Sequence, residues 1–186
     1  ASLARDGLKD QSQTGLRLLV GRLQNEPALR SKLSAQEVAS VLNIVSKRPS
    51  ARPCIEVAQA LVDRLKNEPA LREKLQEQSL ANVLTALSKW PERAVQSIAS
   101  TLAGRIVSRR DLQVGFNEQE VSNVLGALSK WPDVPYCTEA ALTLIPRIAT
   151  DPSVVRSFNQ QEAVQTLNAL RAWAKCSYGA RAITRC

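Results

Sequence analysis

A tetrapeptide, Ser-Lys-Trp-Pro, occurs at residues 88–91 and again at 129–132, which is 41 residues later. A degraded copy, Ser46-Lys47-Arg48-Pro49, lies 42 residues before the first, and Trp173 alone persists 42 residues after the second. A period of this length is typical of helical units that cannot bury their own apolar faces and therefore stack. The period constrains the fold more strongly than any single residue, because it predicts an array of similar units.

Other positions recur in the same register. Residues 19–23 read Leu-Val-Gly-Arg-Leu and align with 61–65, 102–106 and 144–148, while residues 25–29 return almost unchanged as 67–71. The chain contains no methionine and neither end has a polar cap, so we expect it to be a piece of a longer array. The predicted units are residues 16–54, 55–96, 97–137 and 138–175, with 1–15 as the eroded end of a preceding repeat and 176–186 as the start of a further one.

Each unit has the signals of three helices. The first, as in residues 55–67, carries apolar residues at helical spacing. Pro27, Pro69 and Pro152 follow the first helix, and proline at the first position of the short second helix is favourable. The third helix is expected to end at the tryptophan and proline of the tetrapeptide, and it begins at a capping box in three units. The boxes are Ser34 with Glu37, Asn117 with Glu120, and Asn159 with Glu162, whereas the second unit has Gln76 with Ser79.

These features predict an all-α protein, a right-handed α-solenoid of about four 42-residue HEAT/armadillo-like three-helix repeats. Within it, the tetrapeptide is expected to be structural: each indole packs between units and the proline sets the corner. The rival interpretation, a row of exposed aromatic rings for a ligand, is weakened because Arg48 replaces one member. The motif residues are Ser88, Lys89, Trp90, Pro91, Ser129, Lys130, Trp131, Pro132 and Trp173.

A polar stripe on the third helices is the candidate partner-binding surface. By analogy with other solenoids, stacking would align its side chains as ladders of amides that pair with an extended peptide backbone, with lysines attracting acidic groups. Ordinary solvated helix surface is the alternative interpretation. The candidate residues are Gln36, Asn43, Gln78, Asn82, Gln119, Asn123, Gln161, Asn168, Lys89 and Lys130.

A second polar column consists of Arg22, Arg64, Arg105 and Arg147, near the end of each first helix. An acid follows four residues later in three units, and exposed pairs of this kind stabilise a helix by only tenths of a kcal/mol. The guanidinium groups could instead bond carbonyl groups at helix ends or bridge to the next unit. A column of phosphate contacts is the functional alternative.

Composition limits the classes of partner. The net charge of +8 suits an anionic partner, but the basic residues are spread along the chain. No apolar run approaches the ~20 residues that span a bilayer, so we expect no membrane insertion. Without histidine or a CxxC pair we expect no metal and no cofactor. Cys54 and Cys137 occupy the same position two periods apart, which argues against a mutual disulfide and favours small apolar fillers in a reducing compartment; Cys176 and Cys186 complete the set.

The repeated tetrapeptide, over residues 16–175, resembles the SKWP-repeat family of type III secreted effectors from plant-pathogenic bacteria. The resemblance implies a HEAT/armadillo-like protein that is held in the bacterial cytoplasm, secreted by the type III system into the plant cell, and active in virulence through binding a host protein. It implies no catalytic residues. The chain departs from the motif at Arg48, Ala172 and Ala174.

Our first hypothesis is therefore a non-enzymatic protein-interaction scaffold that binds a host protein with an extended or acidic surface. A helical-repeat RNA-binding module is the alternative, and a spacer that presents another domain is a third. Catalysis is not expected, because the chain has no histidine, Gly-rich phosphate loop or nucleophile elbow. The host partner and the oligomeric state stay open at this point.

Overall fold

A computed structural model describes residues 2–90, 93–150, 156 and 158–175, and the regular structure of these residues is entirely α-helical, which confirms the predicted all-α class. The described residues do not include Pro91, Pro152 or residues 176–186, whose roles were predicted from the sequence. The described helices are α1 (Ser2–Asn25), α2 (Pro27–Lys32), α3 (Ala35–Val45), α4 (Arg52–Asn67), α5 (Pro69–Glu73), α6 (Glu77–Leu87), α7 (Arg93–Ser108), α8 (Arg110–Gly115), α9 (Glu118–Leu128), α10 (Pro135–Thr150) and α11 (Gln160–Lys175).

The helices form two layers. The first helices of the sequence units (α1, α4, α7 and α10) pack in succession against one another, and so do the third helices (α3, α6, α9 and α11). Each of α3, α6 and α9 also packs against the first helix that follows it. The space between the layers is filled by aliphatic side chains such as Leu61, Leu84, Leu102 and Leu125, all fully buried. An aliphatic core of this kind agrees with the low aromatic content of 4%.

The predicted starts of the second and third helices are confirmed. Pro27 and Pro69 are the first residues of α2 and α5. In α3 the Glu37 amide donates to Ser34 Oγ at 3.3 Å, and the Ser34 amide donates to the Glu37 carboxylate at 2.8 Å. The bonds that the Ser34 amide and hydroxyl donate to this carboxylate lower the pKa of Glu37. The same reciprocal bonds join Asn117 to Glu120 before α9 and Asn159 to Glu162 before α11.

The start of α6 is the exception, and it gives a testable prediction. Gln76 occupies the N-cap position in extended backbone, but its side chain makes no cap bond. Replacing Gln76 by Asn should supply the missing acceptor and raise the free energy of unfolding by about 0.5–1 kcal/mol, measured by urea denaturation. The control is Gln78→Asn, the same chemical change inside α6, where no gain is expected. A variant at Gln76 no more stable than the parent would contradict the prediction.

The third helices end differently from the prediction. α3, α6 and α9 stop at Val45, Leu87 and Leu128, before the tetrapeptide, so the proline does not itself end the helix. The motif serine makes the turn: Ser88 Oγ donates to the Thr85 carbonyl oxygen at 2.7 Å. Ser46 and Ser129 make the equivalent bonds, to Asn43 and Gly126 respectively.

The fourth unit lacks this turn. Alanine stands at 172 and 174, where the third unit has lysine and proline, and α11 continues to Lys175. Trp173 therefore lies within a helix, whereas Trp90 and Trp131 follow theirs. Arg171 also stands at the position of the motif serine, so the hydroxyl that makes the turn in the other units is missing here.

The unit boundaries predicted after residues 54, 96 and 137 fall inside α4, α7 and α10, and the one after residue 15 falls inside α1. Of the described loops between a third helix and the next first helix, one spans residues 46–51 and another spans residues 129–134. None of the described helices is both long enough and apolar enough to cross a bilayer.

Candidate functional site

The arginine column connects each unit to the one before it. Arg105, whose side chain is 8% exposed, donates from Nη1 to the Leu75 carbonyl oxygen at 3.2 Å and from Nη2 to the Glu73 carbonyl oxygen at 3.1 Å. The equivalent bonds run from Arg64 to Leu33 at 3.1 Å and from Arg147 to Phe116 at 2.7 Å. Leu33, Leu75 and Phe116 occupy a single sequence column, so the contact repeats with the period of the chain.

These bonds direct three of the four guanidinium groups toward backbone carbonyl oxygens. Burial lowers the pKa of Arg105, with the Glu73 carboxylate acting in the opposite direction. Arg64 also forms a two-point ion pair with Glu68, at 2.8 and 2.9 Å. Arg22, by contrast, is 61% exposed and pairs with Glu26 at 2.9 Å. The column therefore contains one exposed guanidinium group and three that bond the backbone of the preceding unit.

Sequence reasoning missed a second set of donors, on the short second helices. Arg72 Nη1 donates to the carbonyl oxygens of Leu65 and Lys66 at 2.5 and 2.7 Å, and so satisfies the end of α4. Arg30 does the same for α1, and Gln113 for α7. The three residues occupy the same position of their units, which could have identified them as a set. The set was not recognised because the third member is glutamine and not arginine.

The tryptophans lie inside the protein. Trp90, Trp131 and Trp173 are 8%, 5% and 2% exposed. Trp90 Nε1 donates to the Pro49 carbonyl oxygen at 3.2 Å, a bond that joins the tetrapeptides of two neighbouring units. These rings are thus not presented to solvent as a row of stacking platforms.

The third helices form a groove, called here the third-helix groove, across α6, α9 and α11. It is open to solvent and its lining is largely polar. It includes five of the ten predicted partner-binding residues, namely Lys89, Asn123, Lys130, Gln161 and Asn168, together with Thr85, Gly126 and Gln165.

The other predicted residues are more scattered. Gln36 and Gln78 line a separate depression at the N-terminal ends of the third helices. Gln119 is exposed, and Asn43 and Asn82 are half-buried on their helices. The predicted residues thus recur at equivalent positions of the sequence units, but in the structure they lie on separate surfaces.

One contact crosses the third-helix groove. Gln165 Nε2 on α11 donates to the Ser122 carbonyl oxygen on α9 at 3.2 Å and lies 3.5 Å from Asn123 Oδ1. The side chain passes directly over Gly126, where an added Cβ would come within 2.4 Å of Nε2. Glycine at 126 is thus what allows an amide from the next unit to cross.

Four of the predicted residues that line the groove have no internal partner among the described residues. Within the part of the chain that the structure describes, the side chains of Gln161, Asn168, Lys89 and Lys130 make no hydrogen bond or ion pair. The two lysines follow the C-terminal ends of α6 and α9. The amides of the groove can pair with a polypeptide backbone, and its ammonium groups can pair with carboxylates.

The described cysteines are buried free thiols, in agreement with the role of apolar fillers. Burial raises the pKa of Cys137 to about 12 and also raises the pKa of Cys54. Such thiols are poor nucleophiles at neutral pH. Cys176 and Cys186 lie outside the described residues. Among the described residues no group of three or more His, Cys, Asp or Glu side chains is placed to hold a metal ion.

Comparisons with known proteins do not assign this chain to a family. No protein-family model, curated protein or solved structure matches this chain.

Proposed function

We propose that this chain is a segment of a right-handed α-solenoid of about four HEAT/armadillo-like repeats that binds another protein and performs no catalysis. The solenoid proposal is supported by the successive packing of the first helices and of the third helices. It is supported independently by the arginine bonds, which join the same positions of neighbouring units three times. Repeat proteins of this kind use a surface built from many units.

The observation that carries the binding proposal is the third-helix groove. Three successive third helices contribute to it, and its exposed amides and lysines have no internal partner. Packed helices lie about 8–10 Å apart and an extended chain rises ~3.3 Å per residue, so each unit would meet about three residues of a bound strand. The groove suits an extended polypeptide with acidic side chains toward Lys89 and Lys130.

The biological setting of the proposal comes from the Ser-Lys-Trp-Pro units. Their resemblance to SKWP-repeat effectors makes the partner a plant host protein, and the route one of secretion from the bacterial cytoplasm by the type III system. RNA is the competing ligand, since the net charge is +8. It is less favoured because three arginines that would form a phosphate track bond the backbone instead.

The test begins with affinity capture from nuclease-treated plant extract, followed by direct binding measurements on the purified partner. The groove variant combines Lys89→Gln, Lys130→Gln and Asn168→Ala. We expect it to raise the Kd at least tenfold, because two ammonium groups and one amide are lost. The matched control combines Lys32→Gln, Lys66→Gln and Asn67→Ala, which are exposed positions away from the groove; its Kd should stay within twofold of the parent.

Equal weakening by both triple variants would mean that net charge, and not the groove, determines binding. An unchanged Kd for the groove variant, with helical circular dichroism intact, would also contradict the proposal. RNA binding is tested separately at 50 and 200 mM salt. Affinity for RNA that falls steeply with salt, with no protein partner recovered, would favour the nucleic-acid alternative.

A further inference from the structure

A second concave site lies in the other layer, between α1 and α4. This first-repeat pocket has an apolar wall of Leu16, Val20, Ala51, Pro53 and Cys54, and two guanidinium groups complete its lining. Those groups belong to Arg17 and Arg48. The cavity volume is about 390 Å³, and the cavity is partly open to solvent. The third-helix groove shares no residue with it.

The equivalent cavity in the second unit is much smaller. There the volume between α4 and α7 is about 40 Å³, and its lining includes Ala58, Val62, Val95 and Trp90. Trp90 stands where the first unit has Arg48, because the motif Ser-Lys-Trp-Pro reads Ser-Lys-Arg-Pro there. The indole fills space that the guanidinium group leaves open, since the ring is bulkier and packs against both helices.

The third unit indicates which kind of group can cover the equivalent glycine position. The ring of Tyr136 lies 3.7 Å from the position that a Cβ on Gly104 would take, which is ordinary van der Waals contact. Gly21 is the equivalent glycine in the first unit, and nothing lies within 4 Å of its Cβ position. Pro53 occupies the column of Tyr136. A flat ring that the third unit supplies from its own chain is thus missing in the first.

The charges indicate what such a ring should carry. Within the described residues, neither Arg48 nor Arg17 has an ion pair or a side-chain hydrogen bond. Arg48 acts on the pocket wall electrostatically, because it opposes the effect of burial on the pKa of the Cys54 thiol. Two unpaired guanidinium groups beside an apolar wall favour a carboxylate attached to an apolar body, since guanidinium binds carboxylate through two parallel hydrogen bonds.

We propose that the first-repeat pocket binds an aromatic carboxylate. The ring lies over Gly21 against Val20 and Pro53, as Tyr136 lies over Gly104, and the carboxylate pairs with Arg48 and Arg17. The replacement of tryptophan by Arg48 both opens the space and supplies the charge. This site is independent of the protein-binding proposal, since neither surface needs the other.

The probe is 4-hydroxyphenylacetate, which joins the ring of tyrosine to a carboxylate, with tyramine as the cationic counterpart of similar size. For a ligand this small we expect a Kd on the order of 1 mM or below. It is measured from the shifts of the backbone amide resonances around Gly21 and Ala51. Tyramine should bind at least tenfold more weakly. Equal binding of the two compounds would overturn the proposal.

Variants distinguish the pocket from nonspecific binding. Arg48→Trp restores the motif residue and should abolish the shifts while keeping the fold, which its thermal unfolding verifies. Arg48→Gln should weaken binding at least tenfold, because the charge and the paired guanidinium donors are lost while the side chain stays polar. Lys47→Gln removes the neighbouring charge outside the pocket and should leave the Kd within twofold. Undiminished binding to a folded Arg48→Trp variant would place the ligand elsewhere and refute the proposal.

The carboxylate could belong to a free small molecule or to the C-terminal residue of a peptide. Gly-Gly-Tyr carries the same ring beside its C-terminal carboxylate. The same peptide with an amidated C-terminus lacks that charge. Tighter binding of 4-hydroxyphenylacetate than of the free peptide would identify a small molecule. The reverse order, with the free peptide also binding more tightly than its amide, would identify a chain terminus. Failure of both acids to bind would refute the proposed chemistry.

Discussion

Replacement of Trp90 by alanine is expected to lower the free energy of unfolding by about 3–5 kcal/mol. The indole is 8% exposed, packs where α4 and α7 meet, and donates through Nε1 to the Pro49 carbonyl oxygen at 3.2 Å. Truncation removes the apolar contacts, leaves a cavity, and leaves a carbonyl of the neighbouring unit without its donor. Urea denaturation followed by far-ultraviolet circular dichroism measures the loss.

Arg48→Ala is the matched control, at the same position of the preceding unit. Its side chain is only half-buried and makes no hydrogen bond among the described residues, so we expect a loss below about 1 kcal/mol. Similar losses at the two positions would show that the motif tryptophan does not act as the contact between units.

The second large effect is expected at Arg105. Arg105→Met keeps much of the side-chain volume but removes the donors to the carbonyl oxygens of Leu75 and Glu73. The bond to Leu75 is buried and the bond to Glu73 is partly buried. A buried carbonyl left without a partner costs about 1–3 kcal/mol, and removal of the buried charge returns part of that. We therefore expect a net loss of about 2–4 kcal/mol in the free energy of unfolding, measured by urea denaturation.

Arg22→Met is the matched control, because Arg22 occupies the same column but is 61% exposed and pairs with Glu26 alone. A loss below about 0.5 kcal/mol is expected there. If both variants lost the same stability, helix propensity or net charge would explain the effect, and the bonds between units would not.

The local features of this fold were predictable from the sequence because each depends on residues that are close together in the chain. A capping box joins residues three apart, and Pro27 or Pro69 determines a helix start through its own ring, so Ser34 with Glu37 could be identified without knowledge of any neighbour. The helix ends were less predictable. The bond from Ser88 to Thr85 competes with continuation of the helix, and proline was the more conspicuous signal.

The features that depend on neighbouring units were only partly predictable. The period placed Arg64, Arg105 and Arg147 in one column, but the column alone does not say whether a guanidinium group points outward or back to the preceding unit. The amide stripe has the same limitation. Gln165 turns toward α9 because Gly126 leaves room for it, a relation between residues 39 positions apart that no local pattern expresses.

The acceptors of the arginine bonds have a consequence for engineering. They are backbone carbonyl oxygens, and leucine and phenylalanine serve equally well in that column. Because every residue has a carbonyl group, the connection places almost no demand on the sequence of the unit that accepts it. Among the described residues, Arg22 on α1 is the exposed copy of this connector and pairs with Glu26 rather than with a backbone carbonyl oxygen. A helical unit of quite different sequence, fused ahead of α1 in the same register, would meet a donor already in position, so this chain can serve as the foundation for longer designed arrays.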